Sequence, residues 1–350
     1  MIKTPLISVV VAAYNTGKYI EECLNSIISQ TFQDWECIII DDASSDNTLS
    51  VIKEFAGKDQ RFRYDVLPVN SGSAKVPRDK AVADAKADWI LQVDSDDFID
   101  QNVMERLYAR AVQTDADIVF LRLKRFEHEN PHRFNFLPDK DFDMQCRLTG
   151  EEAVMLTIPE WIIPGNGLIR KKLWDMRSTL KTGMNHMNVD EFDGREWFFN
   201  ANFIVFEDVI YHYRHHSSSI TRKISSKLFE MLITDKMVEN LVHEKFGKDS
   251  PQASIVSQWR INNILEKRCY LSAIGSKLSG VELNRAKKLI REHYRSIDKN
   301  HIPYKGVKQM VYRSYILFEL YMFYRFASGK ILGRLRSYKY MLIGKKHKNR

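Results

Sequence analysis

The first hundred residues alternate between short apolar runs and segments in which apolar residues recur every three or four positions. Residues 7–11 (Ile-Ser-Val-Val-Val) and 37–40 (Cys-Ile-Ile-Ile) are runs typical of strands covered on both faces. Residues 20–28 follow the helical period after an Asn-Thr-Gly turn at 15–17. This order predicts an α/β fold with a mostly parallel sheet flanked by helices, and ligand binding at the carboxyl ends of its strands.

The same alternation continues toward the middle of the chain. Further helices are predicted over residues 48–55, 75–87 and 103–113, and further strands over residues 62–67, 89–93 and 117–123. Residues 127–147, with Pro131 and Pro138, are interpreted as an irregular insertion or loop over the cleft. From Lys223 onward the pattern is helical with few Gly or Pro. We therefore expect one domain over residues 1–222, followed by an α-helical region over residues 223–350.

Carboxylates stand at the ends of two predicted strands. Asp94, Asp96 and Asp97 follow one of them, and Asp41 and Asp42 end another. Crowded carboxylates repel one another unless a cation is bound, and the hard ions Mg²⁺ and Mn²⁺ prefer oxygen ligands. Such an ion could neutralise charge on a departing diphosphate. The alternative is a pair of solvated acidic turns that cap the helices after them.

Positive charge is concentrated at the C-terminal end. Residues 301–350 contain 12 Lys or Arg and a single acid, Glu319, whereas the whole chain carries a net charge of +8. Aromatic residues interleave with these cations between residues 304 and 342, a composition suited to a bilayer interface with anionic lipids. We expect a cytoplasmic enzyme held peripherally on the inner face of the plasma membrane. The alternative is a helix packed in the core whose cations reach solvent.

Several classes of protein are disfavoured by what the chain lacks. Its four cysteines lie far apart without C-x-x-C spacing, which indicates neither a zinc site nor a disulfide framework and favours a reducing cytosol. No run of about 18 apolar residues predicts a spanning helix. The turn after the first strand has no G-x-G-x-x-G pattern and no glycine-rich basic loop, which disfavours dinucleotide oxidoreductases and nucleotidyltransferases. No nucleic-acid recognition motif accompanies the basic tail.

Three segments resemble the N-terminal signature of family 2 glycosyltransferases, which have the GT-A (Rossmann-like) fold. They are residues 8–15, residues 38–48 ending in DDASSDNT, and the VDSDD motif at 93–97. The resemblance implies a nucleotide site in which Asp42 contacts the base and neighbouring residues line its pocket or contact the ribose. The implied nucleotide residues are Ala12, Tyr14, Asp42, Arg78, Asp94 and Ser95. Asp96 and Asp97 would hold Mn²⁺ or Mg²⁺.

Two later segments extend the resemblance to about residue 221. Residues 70–79 are similar to the family's Asn-x-Gly…Ala-Arg-Asn segment, with Pro77 and Asp79 in place of the usual Ala and Asn. Arg78 would then contact phosphate or base. Residues 209–221 resemble the family's closing element over the diphosphate. The implied leaving-group contacts there are Arg214, His216 and Ser219, although a histidine beside a strand is more often structural.

The catalytic base is expected in the stretch around residues 188–192. Inversion at the sugar requires a base that removes the proton of the acceptor hydroxyl. By resemblance this is Asp190 or Glu191, with Asp190 preferred and Asp193 close enough to compete. The alternative is that these acids only favour the N-terminal dipole of the following helix.

The resemblance implies transfer of a sugar from a nucleotide-diphosphate sugar, foremost a UDP-sugar, to a saccharide acceptor. Lipid-linked acceptors, including one on undecaprenyl diphosphate, are expected for an enzyme of capsule, O-antigen or exopolysaccharide synthesis. The non-enzymatic alternative is an inactive, nucleotide-sugar-binding scaffold of a polysaccharide assembly complex. A metal-dependent nucleotidyltransferase is the enzymatic one.

Overall fold

The computed structural model describes residues 4–127, 130–158, 161–163, 165–215, 224–298, 310 and 312–327. The chain divides into two compact units, residues 1–185 with 193–216 and residues 186–192 with 217–350. The strands are β1 Ile7–Ala13, β2 Trp35–Asp41, β3 Phe62–Val66, β4 Trp89–Gln92, β5 Phe98–Ile99, β6 Ile118–Glu127, β7 Asn130–Leu137, β8 Arg147–Leu148, β9 Gly167–Arg170 and β10 Ile204–His215.

The first eight helices of the described chain connect and follow these strands. They are α1 Ile20–Ile28, α2 Thr48–Lys58, α3 Lys75–Ala83, α4 Val103–Thr114, α5 Gly150–Leu156, α6 Lys171–Asp175, α7 Ser178–Thr182 and α8 Val189–Asn200. The predicted helix over 75–87 thus ends four residues early. The strands form one mixed sheet in the order β3-β2-β1-β4-β9-β6-β10-β5, with β7 beside β6 and β8 beside β10. The predicted α/β fold is confirmed.

Four neighbouring strands in this order, β3, β2, β1 and β4, run parallel, and β1 lies between β2 and β4. Ile7 of β1 stands opposite Trp35 of β2 on one side and Trp89 of β4 on the other. Every residue of β1 is buried apart from the half-buried Ala12, as expected for a strand with helices on both faces. Because β1, β2 and β4 run in the same direction, the segments that follow them emerge at one edge of the sheet.

The segment after β6 differs from the prediction. Residues 127–147 were expected to be irregular, but Asn130–Leu137 forms β7, which pairs antiparallel with β6 from Leu123 to Glu127. Pro131 misled the prediction, because proline is tolerated on an edge strand, where one side makes no ladder bonds, whereas Pro138 comes directly after β7. β7 pairs only with β6 in the described chain, so it is such an edge.

The second unit is helical in its described part, as the pattern after Lys223 predicted. Its long helices are α9 Met231–Phe246, α10 Pro251–Ile274, α11 Gly280–Arg295 and α12 Tyr315–Ala327. Ser250 caps α10 by accepting from the Ala253 amide over 3.0 Å, with Pro251 at the first helical position. The apolar faces meet in a core that includes Phe229, Leu232, Ile264, Leu271, Ile290 and Phe318. Within the described residues, none of the helices is both long and apolar enough to cross a bilayer.

Candidate active site

The turns after β1 and β2 are locked together. Asn15 has a left-handed backbone, with φ of 51°, and its amide donates to Ser44 Oγ over 3.0 Å. In return the Ser45 amide donates to Asn15 Oδ1 over 2.8 Å. A Cβ at Gly17 would meet the ends of the Asn47 and Asp46 side chains, which would have to move aside. This arrangement places Ala12 and the 44% exposed Tyr14 at the carboxyl edge of the sheet.

Asp42 anchors the segment that leads into α3. Its carboxylate is only 3% exposed and accepts from the Ser71 amide at 2.8 Å, from Ser71 Oγ at 2.9 Å and from Asn70 Nδ2 at 3.1 Å. Its own amide donates to Ala13 O, which ties it to the end of β1. The predicted base-recognition residue therefore also fixes the loop before Arg78.

Arg78 and Asp94 meet at this edge. Arg78 Nη2 lies 3.3 Å from Asp94 Oδ1, and Gln92 Nε2 donates to the same oxygen over 3.0 Å. The Asp94 side chain is 33% exposed and that of Arg78 is 11% exposed, so the pair keeps access to solvent. Two of the predicted nucleotide residues thus come together across α3 and β4. Ser95, the next residue, is buried.

Asp97 is turned inward. It is 1% exposed, its Oδ2 accepts from the Tyr211 hydroxyl at 2.8 Å, and its Oδ1 accepts from the Arg214 amide at 2.7 Å. Burial, reinforced by the Asp94 and Asp96 carboxylates, raises the pKa of Asp97 well above its usual range, although both hydrogen bonds act against this. Asp97 is therefore committed to fastening β10 to the acidic turn, a role that sequence reasoning did not assign to it.

Arg214 is held against the same turn. Its Nε donates to the backbone oxygen of Asp96 over 2.8 Å, and its guanidinium pairs with Glu22 of α1. The guanidinium carbon lies 5.0 Å from the ring centroid of Tyr19 and 5.6 Å from that of Phe98. With only 5% of the residue exposed, this charge is brought next to the acidic cluster.

A divalent cation could be held by Asp94 and Asp96. Both residues are partly exposed, in contrast to Asp97, and both offer the hard oxygen ligands that Mg²⁺ and Mn²⁺ prefer. No three His, Cys, Asp or Glu side chains of the described chain are grouped closely enough to hold an ion by themselves. The donor set fits such an ion when a diphosphate and water complete its coordination, as Mg²⁺ commonly requires.

The expected base lies on the first turn of α8, in the second unit. Asp190 is exposed there, whereas Glu191 is half-buried and accepts from Asn188 Nδ2 over 2.6 Å. Asn188 has a left-handed backbone, with φ of 61°, where the chain turns into the helix. His216 and Ser219 fall outside the described residues.

Sequence reasoning missed two residues that organise the site. Tyr211 bridges the Asp94 amide, at 2.9 Å, and the Asp97 carboxylate. Gln92 steadies Asp94 from the end of β4. Gln92 could have been found as a polar residue in an apolar strand, whereas Tyr211 had no local signal because tyrosines are common in strands.

Known proteins resemble this chain in both sequence and fold. Residues 8–165 match the family model described as glycosyl transferase family 2. Glycosyltransferase GlyG of Streptococcus pneumoniae is 32% identical over 225 residues, covering 62% of this chain and 73% of GlyG. The poly(ribitol-phosphate) beta-N-acetylglucosaminyltransferase TarP of Staphylococcus aureus is 36% identical over 117 residues, which span 32% of this chain and 35% of TarP.

A solved structure shares the fold. Residues 1–349 of Staphylococcus aureus TarS, in complex with UDP-GlcNAc, superpose with a TM-score of 0.60 at 19% identity and cover 84% of this chain and 82% of that one. The structural match therefore covers more of this chain than residues 8–165, which match the family model.

Proposed function

The chain belongs to glycosyltransferase family 2, and we propose that it transfers a sugar from a UDP-sugar to a hydroxyl of a saccharide acceptor with inversion at the anomeric carbon. The observation that carries the proposal is the meeting of Arg78 with Asp94 at the carboxyl edge of the sheet, beside the turn that bears Asp42. A nucleotide bound there would find a base partner, a cation for phosphate and carboxylates for a metal. The UDP-GlcNAc complex of the TarS structure supports uracil as the base.

The residues divide the work of the reaction. Asp42, Ala12 and Tyr14 bind the base, while Asp94 and Ser95 contact the ribose and Arg78 the phosphates. Asp94 and Asp96 would hold Mg²⁺ or Mn²⁺, and such an ion would offset charge on the leaving diphosphate. Asp97 supports this turn from behind through Tyr211 and the Arg214 amide.

The transfer step forms one bond to the anomeric carbon, breaks another and releases the proton of the acceptor hydroxyl. The acceptor oxygen forms a bond to the anomeric carbon while the bond from that carbon to the diphosphate breaks, and the diphosphate leaves with the electron pair. Asp190, or Glu191 in its place, takes the acceptor proton. Asp190 is exposed to solvent, whereas Glu191 is half-buried, and we assign the base to Asp190 on this difference in exposure.

Arg214 completes the charge balance of the leaving group. Its guanidinium is held beside Asp96 by a hydrogen bond and by two aromatic rings, so its position is set before negative charge develops on the diphosphate. His216 and Ser219 are proposed to close over the diphosphate with it. Because the pair with Glu22 shares this cation, binding of a diphosphate competes with that pair.

We further propose that the acceptor is lipid-linked, foremost on undecaprenyl diphosphate, and that the enzyme works on the inner face of the membrane. Helix α12 supports this with a row of exposed apolar residues at helical spacing: Ile316, Leu320, Phe323 and Tyr324, each between 59% and 72% exposed. Residues 328–350 follow with eight Lys or Arg and no acid. An apolar face continued by cations suits the surface of an anionic bilayer.

Vesicle binding tests this attachment. The intact chain should sediment with vesicles of phosphatidylcholine and phosphatidylglycerol but not with phosphatidylcholine alone, and high salt should release it. Leu320→Glu with Phe323→Glu should abolish binding, while the control Val281→Glu, at an 81% exposed position of α11, should leave it intact. Equal binding by both variants, or concentration-dependent self-association in place of vesicle binding, would overturn the attachment.

Titration of UDP into the purified protein tests the donor site. Binding should depend on Mn²⁺ and be lost in Asp96→Ala, whereas Asp175→Ala, at an exposed carboxylate that pairs with Lys171, should bind as wild type. If UDP does not bind, dTDP and GDP are tested in its place, and failure of all three removes the donor proposal. Binding without slow donor hydrolysis or transfer would favour a nucleotide-sugar-binding scaffold.

A further inference from the structure

Four charged side chains form a closed ring of ion pairs that includes two residues of α3, the helix that carries Arg78. They are Lys75, Asp79, Arg177 and Asp193. Lys75 Nζ is 2.8 Å from Asp79 Oδ2 and 3.2 Å from Asp193 Oδ2. Arg177 reaches the same two carboxylates, with Nη2 at 2.8 Å from Asp79 Oδ1 and Nη1 at 2.9 Å from Asp193 Oδ2. Each cation therefore touches both anions. Thr179 Oγ1 donates to the remaining Asp193 oxygen over 2.6 Å.

The ring is electrically neutral and buried. The exposed fractions of the side chains are 8% for Lys75, 2% for Arg177, 3% for Asp193 and 20% for Asp79. Removal of one member of a buried set leaves an uncompensated charge, which costs far more than removal of an oppositely charged pair. The four side chains consequently depend on one another.

Helix α3 needs such an anchor. Its N-cap residue, Ala74, offers no side-chain cap, so the only side-chain acceptor that the described residues give an amide of its first turn is Ser73 Oγ, which accepts from the Lys75 amide over 3.2 Å. Pro77 lies within the same turn. Lys75 and Asp79 are its two contacts to the ring, and they flank Arg78 on the helix. Arg78 itself makes a single 3.3 Å contact to Asp94, and its buried Nε has no hydrogen-bond partner. The position of the guanidinium is thus set by the helix more than by its own bonds.

We propose that the ring is a positioning device for Arg78, so that Asp79 and Arg177 are positioning residues of the nucleotide-diphosphate site. The inference rests on the proposed function for the identity of the ligand. The ring depends on Asp79, because a neutral amide at this position, the residue usual in the segment that residues 70–79 resemble, could not balance Lys75 and Arg177. Asp79 therefore acts on the donor through Arg78 without touching it.

Two single variants and their combination test whether charge balance in the ring positions Arg78. The variants are Asp79→Asn, Arg177→Gln and the two combined, with Asp65→Asn as the control, since Asp65 pairs with Lys80 on the exposed side of α3. Each single variant should weaken UDP binding by about tenfold, the scale of one charge-assisted contact. The double variant keeps the neutral Lys75–Asp193 pair and should bind UDP more tightly than either single variant. The control should match wild type.

Two measurements, hydrogen exchange and UDP affinity, distinguish a failure of the ring proposal from a failure of the proposed donor. Hydrogen exchange of the α3 amides should be faster in both single variants and should slow again in the double variant. Unchanged exchange would overturn the ring as an anchor, and faster exchange with wild-type UDP affinity would overturn its role in positioning Arg78. If wild type shows protected α3 amides but binds no UDP, the proposed donor fails and the affinity arm is repeated with dTDP and GDP. A double variant no better than the singles would overturn the role of charge balance.

Discussion

The hydroxyl of Tyr211 donates a hydrogen bond to the carboxylate of Asp97 over 2.8 Å. The same hydroxyl accepts from the Asp94 amide at 2.9 Å, so one atom of β10 joins both ends of the acidic turn. Burial, followed by the charge of Asp97, raises the pKa of Tyr211 well above its usual range and keeps the proton on the phenol. The geometry of the turn therefore depends on a residue far away in sequence.

Tyr211→Phe tests this support. The substitution leaves a buried carboxylate oxygen and an amide without their partner, which should lower the free energy of unfolding by about 1–3 kcal/mol in urea titrations. Transfer should fall as well, because Asp94 and Asp96 lose their fixed spacing. Tyr213→Phe is the control: this half-buried neighbour keeps its ring against Arg125, at 5.7 Å from the guanidinium carbon. Equal effects of both substitutions would contradict a special role for Tyr211.

Arg78→Met should weaken donor binding specifically. It removes the cation beside Asp94 while keeping an aliphatic stem, and loss of a charge-assisted phosphate contact should weaken UDP binding by about tenfold to a hundredfold. Lys80→Met on the same helix removes an exposed cation and should leave affinity unchanged. Isothermal titration measures both. Similar weakening in the two variants would mean that net charge, and not the Arg78 position, attracts the nucleotide.

The edge of the sheet at which the site forms could be predicted from the sequence. β1, β2 and β4 are apolar runs, and parallel strands deliver their following residues to one edge, so Asp42 and Asp94 were both expected at that edge. These patterns predicted a carboxylate site there, but they did not distinguish the role of Asp42 from that of Asp94. The resemblance to family 2 added Arg78, which no periodicity singles out, and the structure places it at Asp94.

Contacts between distant residues could not be predicted. The acidic motif offers three carboxylates in four positions, and local sequence does not say which one turns inward. Tyr211 and the Arg214 amide decide that Asp97 does, from more than a hundred residues away. In the same way, Asp79 appeared only as a departure from a motif, because its partner Arg177 lies 98 positions later.

Asp190→Asn should separate chemistry from binding. Without a base the acceptor hydroxyl keeps its proton, so kcat should fall by about a hundredfold to ten-thousandfold while UDP affinity stays near that of wild type. Glu191→Gln should have a smaller effect on kcat, since Glu191 is engaged with Asn188, and should instead lower the free energy of unfolding. Single-turnover transfer and titration of UDP provide the two measurements. A larger loss of kcat in Glu191→Gln would move the base to that residue.

His293 in α11 should make the stability of the chain sensitive to acid. Burial, with Arg260 and Lys236 nearby, lowers the pKa of its imidazole from the usual 6.5 to about 4. The folded chain thus binds a proton on His293 less readily than the unfolded chain does. The stabilisation is therefore complete above pH 6.5 and is lost progressively as the pH falls toward 4.

A comparison of unfolding curves measures this effect. Urea titrations at pH 7 and at pH 5 should show that wild type loses more free energy of unfolding than His293→Gln does over this interval, because glutamine cannot take up the proton. Asn262→Gln, at an exposed position of α10 and without a titratable group in either side chain, is the control and should keep the pH dependence of wild type. If His293→Gln and wild type lost the same amount, acid sensitivity would have to arise from other groups.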